Sequence, residues 1–171
     1  MRSSLHSIIL ALSLAVLAGG AGAADRQDGH LYLSAQKEYE ILGKSRPAAG
    51  NRPRWEKLAE RFERLPQDFP KTSYGDGAHY YAARIYQELY QSAKEERTLD
   101  LAIKNLRALL LKYPRSPFAA EGRYRLAAAL EEGKGDLAEA RRQYALLAEK
   151  SPQAEWGAKA RARLDVLDRK T

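Results

Sequence analysis

The sequence predicts an all-α protein: an α-α superhelix of about seven antiparallel helices, preceded by a cleaved signal peptide. Three observations predict it. Apolar residues recur at helical spacing with no competing strand pattern, the same residue classes repeat around three prolines, and the first residues have the composition of an export signal. The chain therefore divides into a signal peptide at 1–23 and one helical repeat domain at 24–171.

The N-terminal segment has the three parts of a secretory signal peptide. Arg2 supplies positive charge, residues 8–17 are apolar except for Ser13, and Ala21 and Ala23 place small residues at a cleavage site. This apolar run is shorter than the roughly 20 residues that a spanning helix needs, so an uncleaved anchor is the less favoured alternative. We expect cleavage after Ala23 and a periplasmic mature protein with no transmembrane segment.

The cysteine content and the net charge of the chain limit its possible modifications and binding partners. The chain contains no cysteine, so we expect neither a disulfide nor a lipid-modified N-terminus, and the protein is not predicted to be a lipoprotein. The net charge is +7, and removal of Arg2 with the signal lowers it to +6. Such an excess favours anionic partners such as lipid headgroups or cell-wall polymers. Acidic and basic residues alternate along the helices, however, which is typical of a solvated surface. Export argues against a nucleic-acid partner.

Three segments align when each is counted back from a proline, at Pro70, Pro114 and Pro152. The positions 15, 12, 8 and 5 residues before each proline are apolar or small, which places them on one helical face. These columns are Trp55, Leu99 and Leu137; Leu58, Ala102 and Ala140; Phe62, Leu106 and Tyr144; and Leu65, Leu109 and Leu147. Proline then ends the helix.

A second helix follows each proline and begins with small residues. They lie five and eight residues after the proline, and we expect them to let neighbouring helices approach closely: Gly75, Ala119 and Gly157; Ala78, Gly122 and Ala160. Two-helix units that bury their faces on neighbours form a solenoid. The predicted helices span 29–43, 53–69, 74–91, 98–113, 117–132, 136–150 and 154–169, with Asp136 as an N-cap.

The second unit resembles a known repeat. Residues 113–120, YPRSPFAA, followed by YRLA at 124–127, are similar to the repeats of bacterial envelope tetratricopeptide repeat (TPR) proteins. That class includes the Tol–Pal cell-division coordinator and the outer-membrane assembly lipoprotein. The N-terminal half, through Trp55, FPKTS at 69–73 and Ile85-Tyr86, resembles the helical region that precedes the catalytic domain in some N-acetylmuramoyl-L-alanine amidases. The resemblance implies a TPR-like solenoid in the cell envelope.

The sequence departs from each of these relatives. The lipoprotein needs a cysteine, residues 24–54 lack the heptads of the coordinator's coiled coil, and the amidases' zinc-binding domain has no counterpart. The proline spacings of 44 and 38 also exceed the usual TPR period of about 34.

No residue pattern predicts catalysis. After the signal only His30 and His79 remain, without the clustered ligands that a metal site requires. The glycine-rich segments 75–77 and 133–135 lack the order of a phosphate-binding loop. We therefore expect a protein that is not an enzyme and uses no cofactor or metal.

Two functions remain. The first is a periplasmic adaptor that binds a segment of another envelope protein in an inner groove, in envelope assembly or cell division. By resemblance to TPR groove positions, the groove residues are Tyr80, Arg84, Gln87, Tyr124 and Glu131. Tyrosines crowd the helix that carries Tyr80, and core packing is favoured over groove lining for part of that set. The alternative is a non-catalytic cell-wall factor that binds peptidoglycan or recruits an amidase.

Overall fold

The computed structural model describes residues 27–44, 51–151 and 154–169 and confirms the all-α fold. Within these residues there are seven helices, and each predicted helix end lies within two residues of the observed one when the π-helical segment that extends the fifth helix to Lys134 is counted with it. They are α1 (27–42), α2 (Arg52–Asp68), α3 (Gly75–Ala93), α4 (Glu96–Lys112), α5 (Ala119–Ala128), α6 (Leu137–Lys150) and α7 (Glu155–Asp168). The predicted signal peptide at 1–23 and the turn proline Pro152 lie outside the described residues. None of the described helices combines the length and the apolar character that crossing a bilayer requires.

From α2 to α7 each helix packs on its neighbours in the chain, and contacts between helices two places apart, such as α5 and α7, arrange the helices in two layers. In the odd-numbered layer, the Tyr39 ring of α1 lies 5.1 Å from the Tyr81 ring of α3. Further along, Gln87 of α3 bonds Arg125 of α5. In the even-numbered layer, the Asn105 amide of α4 donates to a Glu63 carboxylate oxygen of α2 at 2.8 Å. This arrangement is that of a helical repeat solenoid.

The apolar columns predicted from the sequence form the core. Eleven of the twelve residues are buried, among them Trp55, Leu58, Phe62, Leu106 and Tyr144. The exception corrects the prediction, since Leu137 is 46% exposed. In the preceding unit the equivalent Leu99 packs beneath Gly133, at the end of the following odd-numbered helix. Helix α7 ends at Asp168, before the turn that would match Gly133, so no described residue covers Leu137 in that way.

The small residues after the prolines allow close helix contacts, as predicted. Ala78 and Ala160 are fully buried. A Cβ atom on Gly75 would lie 2.0 Å from the Tyr113 hydroxyl, and one on Gly122 would lie 2.7 Å from Leu109 Cδ2. On Gly157 it would lie 1.8 Å from the backbone oxygen of Ser151. Glycine is therefore required most strictly at Gly157, where the neighbouring atom belongs to the backbone and cannot rotate away.

Helix α5 continues as a π-helical segment, Ala129–Lys134. Gly135 ends it with φ of 68°, a left-handed conformation that favours glycine. Asp136 then caps α6, as predicted, by accepting a bond from the Glu139 amide at 3.1 Å. The wider turns of the π-helical segment position Glu131 beside α7 and Glu132 beside α3.

The buried apolar residues fall into two cores. The first is built mainly from α1, α2 and α3, and includes Ala82, Ile85 and Tyr86. The second is built mainly from α4 to α7, and α3 contributes Ala83 to it. Helix α3 therefore contributes to both cores, as does α4, whose Ala102 belongs to the first core.

A buried polar network ties α2, α3 and α4 together. His79 is 8% exposed, and its Nδ1 lies 3.0 Å from Asn105 Oδ1. The Asn105 amide nitrogen donates to Glu63 and to the Leu101 carbonyl, so its oxygen must accept from His79 and Nδ1 carries the proton. His79 Nε2 is buried and has no hydrogen-bond partner among the described residues.

We expect His79 to make the fold less stable as pH falls. Burial lowers the pKa of His79, and nearby Lys112 and Lys104 oppose its protonation while Glu63 favours it. Because the pKa is lower in the folded state, stability is complete above the unfolded value of about 6.5 and declines as pH drops through it. Urea midpoints for the wild type should fall between about pH 7.5 and about pH 5.5 by more than those for His79→Gln. An equal fall in both proteins would contradict this role.

Candidate binding face on the odd-numbered helices

Helix α3 presents one partly exposed stripe to the outside of the odd-numbered layer. Ten of its nineteen residues are buried, and five of the accessible ones recur every three or four positions on one side of the helix. They are Tyr81, Arg84, Gln87, Glu88 and Gln91. With the adjoining residues of α1 and α5 they form what we call the odd-helix face.

Arg84 lies at the centre of this face and is half-buried. Its guanidinium carbon is 5.5 Å from the centre of the Tyr39 ring and 5.7 Å from that of the Tyr80 ring. Its one hydrogen bond among the described residues is a long one, 3.5 Å from Nη1 to the Tyr80 hydroxyl. Two aromatic rings thus hold a partly desolvated cation in place, while most of its five N–H donors remain available.

The Tyr80 ring packs in the interior, and its hydroxyl lies at the odd-helix face. Its ring is stacked 4.4 Å from the Phe118 ring, and the residue is 4% exposed. Burial, assisted by the neighbouring Glu121 carboxylate, raises the pKa of Tyr80 to about 12. The hydroxyl is therefore protonated at neutral pH and serves Arg84 as an acceptor.

Gln87 joins α3 to α5. Its amide nitrogen lies 3.4 Å from the Arg125 carbonyl oxygen, and its amide oxygen accepts from Arg125 Nη1 at 3.3 Å. Arg125 Nε also donates to Glu121 at 2.7 Å. The charge of Arg125 is thus balanced by an ion pair within α5, whereas Arg84 makes no ion pair with any described residue.

A pocket of about 160 Å³ opens beside Gln87, between α3 and the π-helical segment. Tyr90, Leu99 and Ala128 form apolar parts of its wall, while Glu88 and Glu132 bring carboxylates to it. The repeat alignment explains the space, because Ala128 occupies the position equivalent to Arg84. The alanine side chain leaves empty the space that the arginine side chain occupies in the preceding unit.

The remaining two predicted groove residues lie apart from this group, at the contact between α5 and α7. The Tyr124 ring is 5.4 Å from the Tyr144 ring and 5.3 Å from the Trp156 ring. The Glu131 carboxylate is 7% exposed, pairs with Arg163 and accepts from the Tyr144 hydroxyl at 3.2 Å. The structure therefore brings Tyr80, Arg84 and Gln87 together and gives Glu131 an internal partner.

Sequence reasoning missed Tyr39, Glu88 and Arg125 as members of the face. Tyr39 also packs on the core, since its ring lies edge-on to the Trp55 ring at 6.1 Å. Arg125 lies within the string that resembles TPR repeats, which was the available signal. Glu88 lies 18 residues after Pro70, as Glu132 lies 18 residues after Pro114, so the repeated glutamate was the available signal.

No known family model matches the chain, and a search of curated proteins finds no match either. Within the described part of the chain, no three histidine or carboxylate side chains are grouped closely enough to hold a metal ion.

We expect Arg84 and Tyr86 to separate binding from stability. They lie two residues apart on α3, and Tyr86 is 5% exposed with its hydroxyl donating to Glu63 at 2.8 Å. Tyr86→Ala should therefore cost about 3–5 kcal/mol in the free energy of unfolding. Arg84→Ala should cost about 1 kcal/mol, from lost cation–π contact. Chemical denaturation of both variants measures this, and equal losses would show that Arg84 is a core residue.

Proposed function

We propose that the chain is a periplasmic TPR-type adaptor that binds a segment of another cell-envelope protein along the odd-helix face, in envelope assembly or cell division. The observation that carries this proposal is Arg84, a half-buried guanidinium oriented by two tyrosine rings and without an ion pair among the described residues. Partly desolvated cations with free donors favour an anionic group that completes them. The helical repeat fold and the export-type N-terminus support an adaptor in this location.

The odd-helix face is also preorganised. Gln36 of α1 donates to the Tyr81 hydroxyl of α3 at 3.0 Å, and the bonds between Gln87 and Arg125 connect α3 to α5. These contacts fix the three helices relative to one another before any partner arrives. Association then costs less conformational entropy than binding to a loop would.

Site-specific crosslinking in native cells tests the proposal. A photoreactive residue replaces Gln91, which is exposed on the odd-helix face, or Arg107, which is exposed on α4 in the other layer. We expect one envelope protein to crosslink from position 91 and not from position 107. The crosslink from position 91 should be lost when Arg84→Gln is introduced into the same chain. Crosslinking that is absent or identical from both positions would count against the adaptor function.

A second candidate function is supported by a basic surface on α4. Lys104, Arg107 and Lys112 are all exposed, and Lys104 lies 3.6 Å from its one ion-pair partner, Glu63. Exposed cations on one helix attract anionic polymers such as those of the cell wall. We propose sedimentation with purified peptidoglycan sacculi as the test of this non-catalytic cell-wall role. Pelleting at low salt should be lost in Lys104→Glu/Arg107→Glu and kept in Arg84→Gln.

A further inference from the structure

We infer that the segment bound on the odd-helix face is a peptide with a carboxylate at Arg84 and, beside it, a basic side chain that enters the pocket lined by Glu88 and Glu132. This inference rests on the proposed function and specifies the chemistry of the partner. It follows from two neighbouring subsites of opposite charge on one preorganised surface.

The first subsite is cationic. Arg84 presents a planar fork of donors, and its approach is fixed by the Tyr39 and Tyr80 rings below it. A carboxylate matches this fork with two parallel bonds, which an amide or a hydroxyl cannot. The Tyr81 hydroxyl lies on the same stripe of α3 and accepts from Gln36, so its own proton remains available as a further donor on the face.

The second subsite carries two carboxylates, and the arginine that also lines it, Arg125, is paired with Glu121. Glu88 makes no ion pair with any described residue, and Glu132 makes a single distant one, at 3.9 Å from Arg163. The pocket between them has apolar walls at Tyr90 and Leu99, which suit the methylene chain of a lysine or arginine. Lys94 contacts two residues of the pocket lining, since its ammonium lies 5.1 Å above the Tyr90 ring and bonds Gln91, but it makes no ion pair with either carboxylate.

The two subsites do not cancel each other. Arg84 and Glu88 are one helical turn apart and have the spacing of an intrahelical pair. Arg84 instead points toward the tyrosines, and no ion pair joins it to Glu88. Both charges act on the Tyr39 hydroxyl: burial raises the pKa of Tyr39, Arg84 opposes the rise and Glu88 adds to it. A single peptide residue spans about 3.3 Å, so neighbouring acidic and basic side chains reach both subsites.

Selection from a phage-displayed library of random linear peptides on the immobilised mature chain tests the inference. We expect selected peptides to share an acidic residue followed or preceded within a few positions by a basic one. Affinities of one such peptide are then measured by fluorescence anisotropy. Arg84→Gln should weaken binding about tenfold or more. Glu88→Gln, at a more exposed site, should weaken it about two- to fivefold.

The matched control is Arg107→Gln, which removes the same charge from the other layer and should leave affinity unchanged. A peptide with its acidic residue amidated should lose no further affinity on Arg84→Gln, because the coupled pair is already broken. Selected peptides without this charge pattern, or equal losses in the Arg84 and Arg107 variants, overturn the inference while the adaptor function stands. Selection of no peptide overturns the inference, and absent crosslinking from position 91 then removes the adaptor function as well.

Discussion

Trp55→Ala should destabilise the protein by about 3–5 kcal/mol, which is the usual cost of removing a buried tryptophan side chain. Trp55 is 1% exposed and begins the first apolar column, where its ring meets Tyr39 edge-on. Its loss opens a cavity among α1, α2 and α3. Urea unfolding followed by far-ultraviolet circular dichroism measures the change without relying on tryptophan fluorescence.

Trp55→Phe is the matched control for packing. The Trp55 indole N–H is buried without a hydrogen-bond partner among the described residues. A buried donor of this kind costs about 1–3 kcal/mol, so phenylalanine removes a penalty while it leaves a smaller cavity. We expect Trp55→Phe to lie within about 1.5 kcal/mol of the wild type. A loss equal to that of Trp55→Ala would mean that the indole nitrogen has a stabilising partner.

Gly157→Ala should have the second large effect, a loss of about 3 kcal/mol. The added methyl group would lie 1.8 Å from the Ser151 carbonyl oxygen and 2.6 Å from its carbonyl carbon. Backbone atoms cannot rotate away as a side chain can, so the start of α7 must move from the end of α6. Thermal and urea unfolding should both show the loss, together with reduced burial of Trp156 in its fluorescence spectrum.

Gly122→Ala tests whether this cost comes from backbone contact. The one close contact of its added methyl group is with Leu109 Cδ2, at 2.7 Å, which is the end of a flexible side chain. Alanine also stabilises a helix interior by about 1 kcal/mol relative to glycine. Gly122→Ala should therefore change stability by about 1 kcal/mol or less. If both glycine variants lose the same free energy, the close contact at Gly157 is not the cause.

The fold was largely predictable because its signal is repeated. Apolar residues at fixed offsets from Pro70 and Pro114 define the same buried face twice, and small residues at fixed offsets after the prolines mark the helix that follows each of them. Leu137 shows the limit of that reasoning. An offset from a proline identifies the face of a helix, while burial also depends on whether a neighbouring helix is long enough to cover it.

The candidate site was less predictable because it arises from contacts between repeats. Arg84 and Gln87 were named from their repeat positions, but the feature that distinguishes Arg84 is the pair of rings around it. One ring belongs to α1, which has no place in the proline alignment. Glu131 illustrates the converse, since a π-helical segment that the sequence did not predict directs its carboxylate toward Arg163.

The sharing of α3 by the two cores has a consequence for how the protein responds to its partner. Solenoids open from their ends, since each unit is held only by its neighbours, and hydrogen exchange should therefore be fastest in α7 and slowest in α3. The odd-helix face crosses the same boundary, with Tyr39 on α1, Arg84 on α3 and Arg125 on α5. A partner bound to this face contacts helices of both cores at once. Binding should thus merge two partly independent melting units into one, which calorimetry would record as a sharper transition.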